Sequence, residues 1–131
     1  MYSIYIWIDG DQFDADEFQR NLSPGLIGSV QSRKRFTSGV VEHFGKYWES
    51  EVKDSIFDHP EEELVNLFVR YKHELLRARA EKASRIVGEI VATYRNLDEA
   101  RGFYLSHEMI QLLAQLSASI DIDIVRDLEG I

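Results

Sequence analysis

The stretch Ser-Ala-Ser-Ile-Asp-Ile-Asp-Ile-Val, residues 117–125, alternates isoleucine with aspartate at every second position. A β-strand points successive side chains to opposite faces, so Ile120, Ile122 and Ile124 share one side and Asp121 and Asp123 the other. A helix would scatter the same residues around its circumference. Sheets covered on both faces have no place for carboxylates at alternate positions, so this strand belongs to a sheet with one buried face and one in water.

The same period appears at the other end of the chain. In residues 2–9, Ile4, Ile6 and Ile8 alternate with Tyr5, Trp7 and Asp9, a β-branched and aromatic composition that favours a strand. Residues 86–95 repeat it, with Ile86, Ile90, Ala92 and Tyr94 opposed to Val87, Glu89, Val91 and Thr93. Two further strands are expected over 27–36 and 40–53, around the turn Ser38-Gly39. In the second, Trp48, Ser50 and Val52 alternate with Tyr47, Glu49 and Glu51, and the bulk of Trp48 suits a core.

Helical patterns separate the strands. Asp14 with Glu17 resembles a capping box, followed by Ala15, Phe18 and Leu22 on one helical face; Ser23-Pro24-Gly25 stops that helix. Residues 60–82 carry the longest helical pattern. Pro60 suits its first turn, Glu61 to Glu63 lie at the positive end of the macrodipole, and Arg77, Arg79 and Lys82 lie at the negative end. Leu64, Leu67, Phe68, Tyr71 and Leu75 form its apolar stripe. Residues 96–102 read as a turn and 103–105 as a short strand pairing back. Ser106 then caps a helix with Met109, Leu112, Leu113 and Leu116 on one side.

The order β-α-β-β-α-β-(β)-α-β predicts a single α+β domain over residues 1–131. It has two layers: a mixed, largely antiparallel sheet of about five strands, and three helices mainly on one face. If the isoleucines face the helices, the far side shows Tyr5, Trp7, Glu49, Val87, Glu89, Asp121 and Asp123. The aspartates then keep that face in water.

Composition narrows the function. The 131 residues carry 15 Lys and Arg against 23 Asp and Glu, a formal charge of −8. Phosphates and anionic lipid would be repelled over most approach directions, so neither nucleic acid nor membrane is an expected partner and a basic protein is. The absence of cysteine removes disulfides, thiol nucleophiles and thiolate metal sites, and suits a cytoplasmic chain. The N-terminus lacks a basic leader region, so the mature chain is expected to start at Met1.

The motifs of catalysis fall short. Asp121-x-Asp123 has the form of a pattern that holds divalent metals beside nucleotides, yet no glycine-rich phosphate loop accompanies it, and a solvated strand face accounts for the pair. Asp9, Asp11, Asp14, Asp16 and Glu17 lack the spacing of a calcium loop; a turn and a helix start explain them. His107-Glu108 begins like a zincin motif, but position 111 is Gln. His43, His59 and His73 have no accompanying nucleophile and orienting partner. Arg33-Lys34-Arg35 is too small a cluster for a nucleic-acid surface and reads as a solvated strand end or loop. No catalytic residue, cofactor or metal is therefore expected.

The run FYLSHEMIQLLAQLSASIDIDI, residues 103–124, resembles the ending of a bacterial family known as domain of unknown function 4279. The acidic entry into a short helix, FDADEFQRNLSP at 13–24, and the mid-chain Trp48 in a strand resemble it more loosely, while LSPGLIG at 22–28 departs from its pattern. The resemblance implies an α+β domain with no assigned catalytic residues. Small acidic proteins of this kind resemble the immunity proteins of bacterial toxin systems. The expected function is thus non-catalytic binding of a basic toxin or effector domain. Tyr5, Trp7, Asp121 and Asp123 are the candidate contacts on the sheet face, and Asp9, Asp11 and Asp14 those in the acidic turn. The alternatives are self-association as a homodimer or other structural assembly, and a metal-dependent enzyme using Asp121 and Asp123.

Overall fold

The computed structural model describes residues 1–55 and 59–127, with the side chains at 35–37 and 42–44 outside the described set. The chain runs β1 (Tyr2–Asp9), α1 (Ala15–Arg20), β2 (Gly28–Thr37), β3 (Val40–Ser50), β4 (Lys53–Ser55), α2 (Pro60–Ala80), β5 (Arg85–Tyr94), a 3-10 turn (Leu97–Glu99), α3 (His107–Leu116) and β6 (Ser119–Arg126). One mixed sheet in the order β2-β3-β1-β5-β6 forms a layer, with β4 also paired to β1. Among the described residues the β5–β6 pairing alone is parallel, and the others are antiparallel. The two-layer α+β reading holds.

Register explains which residues face the helices. Across β1 and β5, Ile4 stands opposite Ile90, Ile6 opposite Gly88 and Ile8 opposite Ile86. Directly opposed residues share a face, and these isoleucines are fully enclosed together with Leu64, Phe68, Tyr71 and Leu75 of α2. Gly88 permits the close approach. A Cβ there would lie 2.8 Å from Cε2 and Cζ of Phe68 and 3.0 Å from Cδ2 of Leu64. Trp48 closes the β3 end of the core. It is wholly buried, edge-on to Phe18 of α1 at 4.9 Å, and its indole N–H donates to Gln19 Oε1 at 2.7 Å.

Helix ends follow the sequence signals. The Asp14 carboxylate accepts from the Glu17 amide at 3.0 Å, and Ser106 Oγ accepts from the Met109 amide at 3.1 Å, each satisfying an otherwise orphaned donor. Glu74 and Arg77 tie α2 to the segment after α1. The buried Glu74 carboxylate accepts from Ser23 Oγ and from Arg77 at 2.8 Å, while the Arg77 guanidinium lies 4.5 Å from the centre of the Phe18 ring. Burial raises the Glu74 pKa, but the Ser23 and Arg77 bonds outweigh it and hold the carboxyl below its usual value.

Three expectations need correction. Residues 103–105 form no strand, because β1 and β6 already occupy both edges of β5; Phe103 instead packs edge-on to Tyr2 at 6.3 Å. The strand expected over 40–53 breaks after Ser50, and Val52 lies exposed outside both pieces. Ile124 shares the helix side of β6 with Ile120 and Ile122, yet it is 50 % exposed and does not join them against the core, because β6 is the last strand in the sheet order.

Candidate functional site

The sheet face away from the helices is the feature most unlike a plain core fold. On it β1 places Tyr5 beside Glu89 of β5 and Trp7 beside Val87. Glu49 of β3 stands opposite Trp7. In the parallel β5–β6 pair, Asp121 aligns with Glu89 and Asp123 with Val91. Tyr5, Trp7, Glu49, Val87, Glu89, Asp121 and Asp123 therefore lie on one side, as the alternating pattern predicts. Asp121 and Asp123 are exposed, Tyr5, Trp7 and Glu49 are half-buried, and Val87 and Glu89 sit low among taller neighbours and are buried.

Trp7 is held rather than bare. Its indole N–H donates to Glu89 Oε1 at 3.2 Å. The Arg85 guanidinium lies 4.9 Å from its ring centre and that of Arg33 5.7 Å. Arg33 also lies 5.1 Å from the Tyr47 ring, itself edge-on to Trp7 at 6.5 Å. Cations over aromatic faces are attracted by the ring quadrupole. Both arginines converge on Asp9: Arg85 donates through Nε at 3.0 Å and Nη2 at 2.6 Å, and Arg33 through Nη2. The result is a cluster in which Arg33 and Arg85 lie beside the Trp7 ring and share one carboxylate.

That anchor changes the standing of the acidic turn. Asp9, grouped by sequence with Asp11 and Asp14, is buried at the end of β1 and neutralised by its two arginines. Asp14 caps α1, and Asp16 pairs with Lys46 at 2.8 Å. Asp11 is exposed. Between this turn and the hairpin β2–β3 lies a groove of about 1020 Å³, lined by Asp9, Asp11, Asp14, Arg33, Lys46 and Arg85 among others. A second hollow of about 360 Å³ lies against Tyr5, Trp7, Arg33, Tyr47 and Glu89.

Arg33, Arg85 and Tyr47 were not singled out as site residues from the sequence. Arg33 read as part of a solvated basic run, whereas a register shift between Ser32 and Lys34 accompanies its turn toward Asp9, as bulges commonly re-aim a side chain. Lys34 of that run is exposed, and the side chains of Arg35 and His43 lie outside the described residues. The signal for Arg85 is its place directly opposite Asp9 in the β1–β5 register, visible only once those strands are paired.

The carboxylates at the far side of Trp7 have no such compensation. One oxygen each from Glu89, Asp121 and Asp123 falls within 4.8 Å of the others. Burial above all, then the Asp121 carboxyl beside it, pushes the Glu89 pKa up to about 7, against the opposing pull of the Trp7 N–H. Burial, followed by the charges of Glu89 and Glu49, pushes the Tyr5 hydroxyl up to about 12. Burial also raises Glu49. Among the described residues no helix is long and apolar enough to cross a membrane. Searches of protein-family models, curated proteins and solved structures find no match to this chain.

Proposed function

We propose that the chain is a non-catalytic, cytoplasmic protein-binding module, of the kind exemplified by immunity proteins, that covers a basic toxin or effector domain with its helix-free sheet face. The observation that supports this reading is the one-sided sheet itself, with Tyr5, Trp7 and Tyr47 grouped beside Glu49, Glu89, Asp121 and Asp123. Aromatics rimmed by charge are the composition of an interface hot spot, and an acidic field speeds encounter with a basic partner. Arg33 and Arg85 hold the Trp7 ring in place before a partner arrives, which lowers the ordering cost of association. Asp121 and Asp123 supply the exposed charge, while Asp9 acts inside the protein.

The test is capture of partners from extracts of the native cell, followed by titration of the purified partner with variants. Tyr5→Ala and Trp7→Ala are each expected to weaken binding by about thirtyfold or more, the loss typical of a hot-spot residue. The Asp121→Asn, Asp123→Asn double variant is expected to slow association and flatten its salt dependence. A folded Trp7→Ala protein that binds with unchanged affinity refutes the sheet-face reading.

A further inference from the structure

We propose that Glu89, Asp121 and Asp123 form a binding site for one hard divalent cation on the helix-free face of the sheet. The inference goes beyond the protein-binding reading and does not rest on it.

Two neighbouring parallel strands build the site. The register places Glu89 on β5 directly beside Asp121 on β6, and the strand period returns Asp123 to the same face two residues later. Their ligand oxygens lie within 4.8 Å of one another, the span that oxygens reach across a cation with bonds of about 2.4 Å. The donor set is three carboxylates with neither nitrogen nor sulfur, which suits calcium, manganese or magnesium rather than zinc or copper.

The second observation is Glu89 itself. Its side chain is only 5 % exposed as a residue, and although Oε1 accepts from the Trp7 indole, Oε2 has no hydrogen-bond partner among the described residues. A buried carboxylate oxygen without a donor costs stability unless something positive meets it. The nearby guanidiniums do not, because Arg33 and Arg85 are both engaged by Asp9. Asp121 and Asp123 cannot serve when ionised, since a carboxylate only accepts. The Asp121 carboxyl can meet Glu89 only through a shared proton, the contact that together with burial raises the Glu89 pKa to about 7; a cation in that place would let all three carboxylates stay ionised. Trp7 meanwhile orients Glu89 through its other oxygen, the supporting role that ligand carboxylates commonly require. Exposed Asp121 and Asp123 leave the remaining coordination positions open to water.

Chelator-treated full-length protein, titrated calorimetrically with CaCl2, MnCl2 and MgCl2 at fixed ionic strength, tests the assignment. Saturable binding of one ion per chain is expected, with a dissociation constant of about 0.1–1 mM for the preferred ion, in the range of open, few-ligand sites, together with a rise in Tm. Glu89→Gln is expected to weaken that ion about tenfold or more. Because Glu89 is buried, Asp121→Asn and Asp123→Asn, both exposed, provide variants whose folding is not at stake and are expected to show the same loss. Asp98→Asn, on the 3-10 turn, should leave affinity unchanged. No heat and no Tm change up to about 10 mM of all three ions overturns the proposal. So does a loss in Asp98→Asn equal to that in Asp121→Asn, which marks diffuse attraction to an acidic protein. None of these outcomes depends on a protein partner, so failure here leaves the interface reading to its own test.

Discussion

An alanine at position 88 would put a methyl group where α2 already rests on β5. The added Cβ would stand 2.8 Å from two carbons of the Phe68 ring and 3.0 Å from Leu64 Cδ2, about 0.6 to 1 Å inside ordinary contact. Phe68 and Leu64 are fully buried, so neither can swing into solvent, and the helix must lift or the strand must sink. Overpacking of this kind costs about 1–3 kcal/mol. The smaller conformational entropy of an unfolded chain with Ala in place of Gly returns about 0.4–1 kcal/mol. The expected net loss is about 1–2 kcal/mol, or a Tm lower by about 3–10 °C for a chain of this length. Urea denaturation followed by circular dichroism reads the difference. The control is Gly102→Ala, where a Cβ meets nothing within 4 Å and the expected change stays within about 0.5 kcal/mol. A Gly88→Ala protein indistinguishable from the control would show that α2 does not bear on β5 at this point, and the assignment of the two sheet faces would go with it.

Two further outcomes follow from charge. Asp9→Ala leaves Arg33 and Arg85 beside Trp7 without the carboxylate they share, but both reach solvent, so the expected loss is about 1–2 kcal/mol in urea denaturation, below that of a fully buried pair; no loss would refute the anchoring role. Glu74 and Glu61 are each held below the usual 4.5 of a glutamate, the bonds to Ser23 and Arg77 in one case and to Arg101 in the other outweighing burial. A depressed folded pKa contributes stability above the unfolded value that disappears as pH falls through the folded one. Glu74→Gln is therefore expected to be less stable than the parent at pH 7 and to lose less on acidification below about 4.5, and parallel stability–pH curves would refute this.

Much of the architecture was legible because period-two alternation carries face as well as element type. Ile4, Ile6 and Ile8, then Ile120 and Ile122, could point inward together only if Tyr5, Trp7, Asp121 and Asp123 pointed outward together, and the registers place them so. The long helix was equally plain, since every residue of its stripe is buried. What stayed hidden depends on contacts distant in sequence. Arg85 lies 76 residues from Asp9 and Arg33 lies 24, and nothing local distinguishes them from solvated basic residues. The same holds for the burial of Glu89, which follows from the bulk of neighbours on β1. Residues 103–105 failed for another reason: their composition permits a strand, but no edge of β5 remained to receive it.

The position of β6 gives its alternation a further consequence. It is the last strand of the sheet, with β5 on one side and no described strand on the other, so its outer edge offers backbone groups to which another molecule's strand could add. A second β6 laid antiparallel in central register would bring its own aspartates to about 5 Å from Asp121 and Asp123, crowding four carboxylates beside Glu89. Shifting by one residue would relieve the repulsion only by turning the newcomer's isoleucines into water. The same two residues that keep one face wet therefore guard an open edge against runaway polymerisation.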